Sequence, residues 1–175
     1  MSLGFSRFNA FTLSGTAVVA AIIISQPQVV IAKTAQEIAQ IAIPITVQVN
    51  NTLGVPGGSG VIIAKKGSTY TVLTANHVVV NPNVEYMIRT HTGKSYPVTT
   101  VRYLQQSQTN LDLAVVKFES PEDYAVATFG NSEQAVVGAD IYVSGYPLTS
   151  TSGVERNHEF TGGIVTSRQI GRAHV

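Results

Sequence analysis

The segment Gly57–Val80 constrains the fold more than any other part of the chain. An apolar run at Val61–Ala64, a Lys-Lys-Gly-Ser break and a second run at Tyr70–Leu73 spell two short strands joined by a tight turn. The second run gives out at His77, which is therefore held at a strand end. A histidine beside Val78 and Val79 is compatible with a partly buried core or turn residue, and also with acid–base chemistry. A second stretch bears on that choice. Thr109–Lys117 reads Thr-Asn-Leu-Asp-Leu-Ala-Val-Val-Lys and sets Asp112 at the head of an apolar strand. A carboxylate buried there needs a compensating partner, and an imidazole is one candidate.

The remaining pattern extends the same architecture. Ile41–Asn50 alternates around Pro44 and predicts a strand with one buried face, preceded by a short helical start or linker at Lys33–Gln40. Val84–Arg89 and Ser95–Arg102 are strand-like runs on either side of a polar turn, His91–Lys94. Ile141–Ser144 and Phe160–Ser167 continue the series after a polar crossover at Glu119–Gln134. Strands at intervals of roughly ten residues predict an all-β barrel or sandwich. After Gln40 no stretch has sustained helical periodicity, apart from a turn at Ala75–Val78, and no internal repeat points to a propeller or solenoid.

Composition narrows the function classes. With 44% hydrophobic and 12% charged residues, the 175-residue chain has the profile of one compact folded domain. A formal net charge of +1 leaves no basic stripe to neutralise phosphates, which argues against a nucleic-acid partner. The lack of cysteine removes disulfides, thiol catalysis and Cys-based zinc sites together. His158 beside Glu159 lacks a third ligand and reads as a solvated loop, so neither a metal nor a cofactor is expected. Asp123 and Asp140 lie in turn-like contexts where an exposed aspartate is ordinary, and His91 is read as solvated. Ser59 lies in Gly-Gly-Ser-Gly, but a nucleophile elbow needs glycine two residues to either side and Val61 occupies the far position. Ser59 is expected to be a turn residue.

Gly-Ser-Gly-Val-Ile-Ile, Thr-Ala-Asn-His-Val-Val, Leu-Asp-Leu-Ala-Val-Val, Gly145-Tyr146-Pro147 and Gly162–Ser167 follow one another in an order that resembles the HtrA/Deg branch of the trypsin-like serine peptidases. The phrasing of Tyr70–Thr74 and of Tyr124–Ser132 is closer still to the trypsin-like peptidase domains of cyanobacteria. The resemblance implies a double β-barrel, complete in its first barrel (about 41–118) and partial in its second (about 135–169). It implies His77 as general base and acid, Asp112 as the carboxylate that fixes its tautomer, and a nucleophilic serine beyond residue 169, outside this chain. Serine is a weak nucleophile until a base takes its proton, and the carboxylate stabilises the imidazolium so formed. The implied activity is that of a serine endopeptidase acting on polypeptides. The competing readings are a peptidase-fold module that binds peptides without cleaving them and an unrelated β-barrel binding domain.

Both ends of the chain carry expectations of their own. Arg7 followed by the apolar run Phe11–Ile24 has the layout of a signal peptide, with cleavage expected after Ala32. An exported protein, periplasmic or extracellular, with no stable membrane insertion after leader removal follows from that reading. Residues 33–169 are then a partial peptidase domain, short of the roughly 200 residues that an all-β two-barrel domain can occupy as one unit. Ile170–Val175 matches one reading frame of a sequencing adapter and is expected to be read-through.

Overall fold

The computed structural model describes residues 32–52, 57–104, 111–147 and 157–167. The expected leader, apart from Ala32, and the expected tail at 170–175 lie outside the described residues.

Helix α1 spans Ala35–Ile45 and corrects the strand expected from Ile41. Thr34 starts the helix with a capping box: its hydroxyl accepts the Glu37 N–H, while the Glu37 carboxylate accepts the Thr34 N–H at 2.7 Å. The Thr34-Ala-Gln-Glu37 sequence is the signal that could have revealed it. Pro44 falls in the last turn, and Thr46 closes the helix by donating its hydroxyl to Ala42 O at 2.7 Å. The barrel therefore begins at Thr46, not at Ile41.

Six strands close an antiparallel barrel in the order β1-β2-β3-β6-β5-β4. They are β1 (Thr46–Asn51), β2 (Gly58–Lys66), β3 (Thr69–Thr74), β4 (Tyr86–Arg89), β5 (Ser95–Tyr103) and β6 (Ala114–Glu119). The β2–β3 turn is tighter than expected. Lys66 pairs with Thr69, leaving Gly67 and Ser68 as the loop, and Gly67 takes a positive φ of 61° that favours glycine.

Alternation sets the interior. Tyr70, Val72 and Thr74 of β3 point inward, as do Ala114, Val116 and Phe118 of β6, all buried. A bulge between Val98 and Thr100 resets the phase of β5, so that Tyr96, Val98 and Val101 pack against the core and Arg102 stays exposed. Gly60 marks where β2 and β3 approach closely: a Cβ there would stand 2.5 Å from Val72 Cγ1. One end of the barrel is plugged by aromatic rings. Phe118 stacks on Tyr70 at 5.1 Å and on Tyr96 at 5.4 Å, and Tyr124, just past β6, caps them with its hydroxyl 2.8 Å from that of Tyr96.

A two-stranded sheet follows, β7 (Asp140–Gly145) with β8 (Glu159–Ile164). It packs on the outside of β1, where α1 also docks, which is why every residue from Thr46 to Asn50 is buried although their side chains alternate. Among the described residues the fold is mostly β, with α1 as the addition the all-β expectation lacked.

Candidate active site

The register of β3 against β6 brings the two singled-out residues together. Thr74 pairs with Ala114, so the chain leaving β3 and the chain entering β6 share the barrel end opposite the aromatic plug. His77 lies three residues past Thr74, in a 3₁₀ turn at Asn76–Val78, and Asp112 lies two residues before Ala114. The turn is anchored from beneath, with Val79 fully buried and Val78 packed on the core.

Asp112 holds His77 twice. Its Oδ1 accepts the His77 backbone N–H at 2.9 Å, and its Oδ2 stands 2.5 Å from His77 Nδ1. An ionised carboxylate only accepts, so the Nδ1 contact requires the proton on Nδ1 and leaves the Nε2 lone pair open. Among the described residues nothing bonds Nε2, and the His77 side chain is 72% exposed. The site thus offers an oriented base with an accessible nitrogen.

The Asp112 side chain is 55% exposed, so it pairs with His77 as a mouth residue and not as a buried carboxylate. Its pKa is lowered, first by the ring hydrogen bond from His77, then by the His77 backbone N–H, against a smaller opposing effect of desolvation. A depressed carboxylate stabilises the fold fully above its unfolded value of about 3.9, and that contribution is lost as pH falls below it through the folded value. We expect a carboxyl titration followed by NMR to place the Asp112 midpoint below 3.9 or so. The His77→Ala variant should bring it back toward that value, and an unchanged midpoint would refute the pairing.

The other sequence candidates lie elsewhere. Ser59 is a strand residue of β2, not a turn residue, and its hydroxyl accepts the Tyr146 N–H at 2.8 Å, stitching the second sheet to the barrel. Asp123 pairs with Lys65 at 2.5 Å near the plugged end and Asp140 opens β7, while the carboxylate that meets His77 is Asp112. His91 is exposed and lies edge-on to Tyr124 at 5.9 Å.

His158 is not the solvated loop residue expected. It is half-buried, with Nε2 2.8 Å from Ser144 Oγ, a pairing that could be mistaken for a nucleophile and its base. Proton counting excludes that. Ser144 Oγ also meets Thr46 Oγ1 at 2.6 Å, and Thr46 Oγ1 meets Ala42 O at 2.7 Å. Three contacts need three protons, the two hydroxyls bring one each, and the carbonyl brings none. His158 Nε2 must therefore carry the third, which makes it a donor to Ser144 and not a base. Burial lowers the His158 pKa, in keeping with a neutral Nε2–H ring. Nothing in the sequence marked this chain of contacts, because its members lie on α1, β1, β7 and the segment entering β8.

An antiparallel barrel with an oriented imidazole–carboxylate pair at its open end is the class that fold and site define. Residues 58–174 match the family described as "Trypsin-like peptidase domain", and the chain belongs to that family. It is 32% identical over 127 residues to the serine protease Do-like HtrB of Bacillus subtilis (strain 168), covering 67% of this chain and 26% of that protein. It is 34% identical over 116 residues to the serine protease Do-like HtrA of Lactococcus lactis subsp. cremoris (strain MG1363), covering 65% of this chain and again 26% of the relative. The chain thus spans 26% of the length of these relatives. The crystal structure of the serine endoprotease from Yersinia pestis shares the fold, with a TM-score of 0.60 at 22% identity over 78% of this chain and 46% of that one.

Proposed function

We propose that the whole protein is an exported serine endopeptidase in which His77 is the general base and acid and Asp112 fixes its tautomer. The observation that supports this best is the 2.5 Å contact of His77 Nδ1 with Asp112, which leaves Nε2 open to receive a proton. In the reaction the serine hydroxyl gives its proton to Nε2 as its oxygen attacks the peptide carbonyl, and Nε2 then returns the proton to the leaving amine. Asp112 offsets the positive charge on the ring meanwhile. The serine and the oxyanion donors lie beyond residue 169, in the remainder of a second barrel begun by β7 and β8. Polypeptides are the substrates. The signal-peptide layout at the N-terminus supports export to the periplasm or beyond, and among the described residues no helix is long and apolar enough to cross a membrane.

A serine-directed phosphonate tests the division of labour. Residues 33–169 alone should take no label and hydrolyse no casein above a buffer blank, since without an oxyanion hole roughly 3–4 kcal/mol of transition-state stabilisation is missing per donor. The full-length gene product should label at a serine past residue 169, and His77→Ala should abolish the labelling. Labelling of residues 33–169 would overturn the assignment. A full-length product with no reactive serine would leave a peptide-binding module as the reading.

A further inference from the structure

The pair at the mouth is braced from a third strand. Tyr103, the last residue of β5, pairs with Ala114 in register, so β5 ends at the same mouth as Thr74 and Ala114. The β5 bulge matters here. Were residues 98–103 to alternate without a bulge, the inward phase would fall on Thr100 and Arg102, and Tyr103 would face away from the barrel axis. With it, the Tyr103 hydroxyl donates to Val79 O at 3.0 Å. Val79 is the residue that closes the His77 turn, its own N–H bonding Asn76 O at 3.1 Å. The next residue of the same segment, Leu104, donates its N–H to Leu113 O at 2.9 Å, one position past Asp112.

We propose that Tyr103 is a positioning residue for the His77–Asp112 pair. Its hydroxyl fixes the far side of the His77 turn, while its own main chain runs directly into the bond that fixes the segment bearing Asp112. Tyr103 and Leu104 thereby brace the separation of the two partners that the β3–β6 register establishes. A three-residue 3₁₀ turn has only two internal hydrogen bonds, Val78 N–H to Ala75 O and Val79 N–H to Asn76 O, and cannot set that separation alone. Tyr86 assists further along, its buried phenol bonding both the N–H and the C=O of Asn81 at 3.0 and 3.1 Å. It grips the connection to β4, four residues past His77, and not the residue that closes the turn. The inference rests on the catalytic reading of the pair proposed above, but its structural half can be read without activity.

The test is Tyr103→Phe, which removes one hydroxyl from a residue already 43% exposed and leaves the core intact. The readout is the exchange rate of the His77 Nδ1 proton with water, followed through its downfield NMR resonance in the purified protein. Losing one hydrogen bond should speed that exchange about fivefold, with barrel amide protection unchanged. Tyr96→Phe removes a hydroxyl at the plugged end instead and should leave the Nδ1 resonance as it is. In the full-length protein Tyr103→Phe should lower kcat by about five- to tenfold without raising KM. An Nδ1 exchange rate equal to wild type in Tyr103→Phe overturns the brace. Wild-type hydrolysis by His77→Ala would overturn the catalytic reading instead, whatever Tyr103→Phe does to the ring.

Discussion

On the catalytic role proposed for the pair, Asp112→Asn should lower kcat of the full-length protein by about 10⁴-fold, the size of loss the same exchange causes in a Ser-His-Asp triad. The reason is tautomeric. Asp112 accepts at both oxygens, one from the His77 ring and one from its backbone N–H. Asparagine keeps one acceptor, which the backbone N–H retains, and turns its NH₂ toward Nδ1. A donor there requires Nδ1 to accept, so the ring proton moves to Nε2 and the lone pair that should take the serine proton is gone. KM should stay within about twofold, because both oxygens are engaged by His77 and the lost interaction strengthens only as the imidazolium forms. The check is steady-state hydrolysis of an ester and of casein by the variant. A loss smaller than about tenfold would show that Asp112 does not orient the base.

The largest stability effect is expected at Phe118. Its side chain is fully buried between Tyr70 and Tyr96 at the plugged end, with Tyr124 closing over them. Phe118→Ala removes the ring on which two others stack. Neighbours held by the Tyr70 hydroxyl bond to Glu122 O, 2.8 Å, and by the Tyr96–Tyr124 bond cannot collapse freely into the space. The cost should be about 3–5 kcal/mol, a large share of the 5–15 kcal/mol or so available to an ordinary domain. Urea unfolding followed by tyrosine fluorescence measures it, as a lower midpoint at unchanged slope. Within the folded fraction the His77–Asp112 contact should persist, because it lies at the opposite end of the barrel. A loss below about 1 kcal/mol would mean that the plug rearranges and is not what closes the barrel.

From the residues alone, the positions of most strands along the chain were legible because each carries its own evidence. The apolar runs at Tyr70–Leu73 and Leu113–Val116, and the breaks at Gly67 and Gly93, are local properties that survive without neighbours. His77 and Asp112 were legible as types in a motif order. The fate of Ile41–Ile45 was misread because an apolar run interrupted by proline fits either period, and the capping box that decides for helix lies upstream of the run. Ser59 and His158 were misplaced for a different reason. Their partners, Tyr146 and Ser144, sit on a sheet that reaches the barrel only when the whole chain has folded. The same holds for the site. That Asp112 grips both the ring and the backbone of His77 depends on the β3–β6 register, and that Tyr103 reaches Val79 depends on a single-residue bulge in β5. Sequence determined which side chains could do the chemistry, since that is a matter of residue type and strand period. Only the tertiary structure decided which of them meet, because register, bulge and barrel closure are set by pairings between segments distant along the chain.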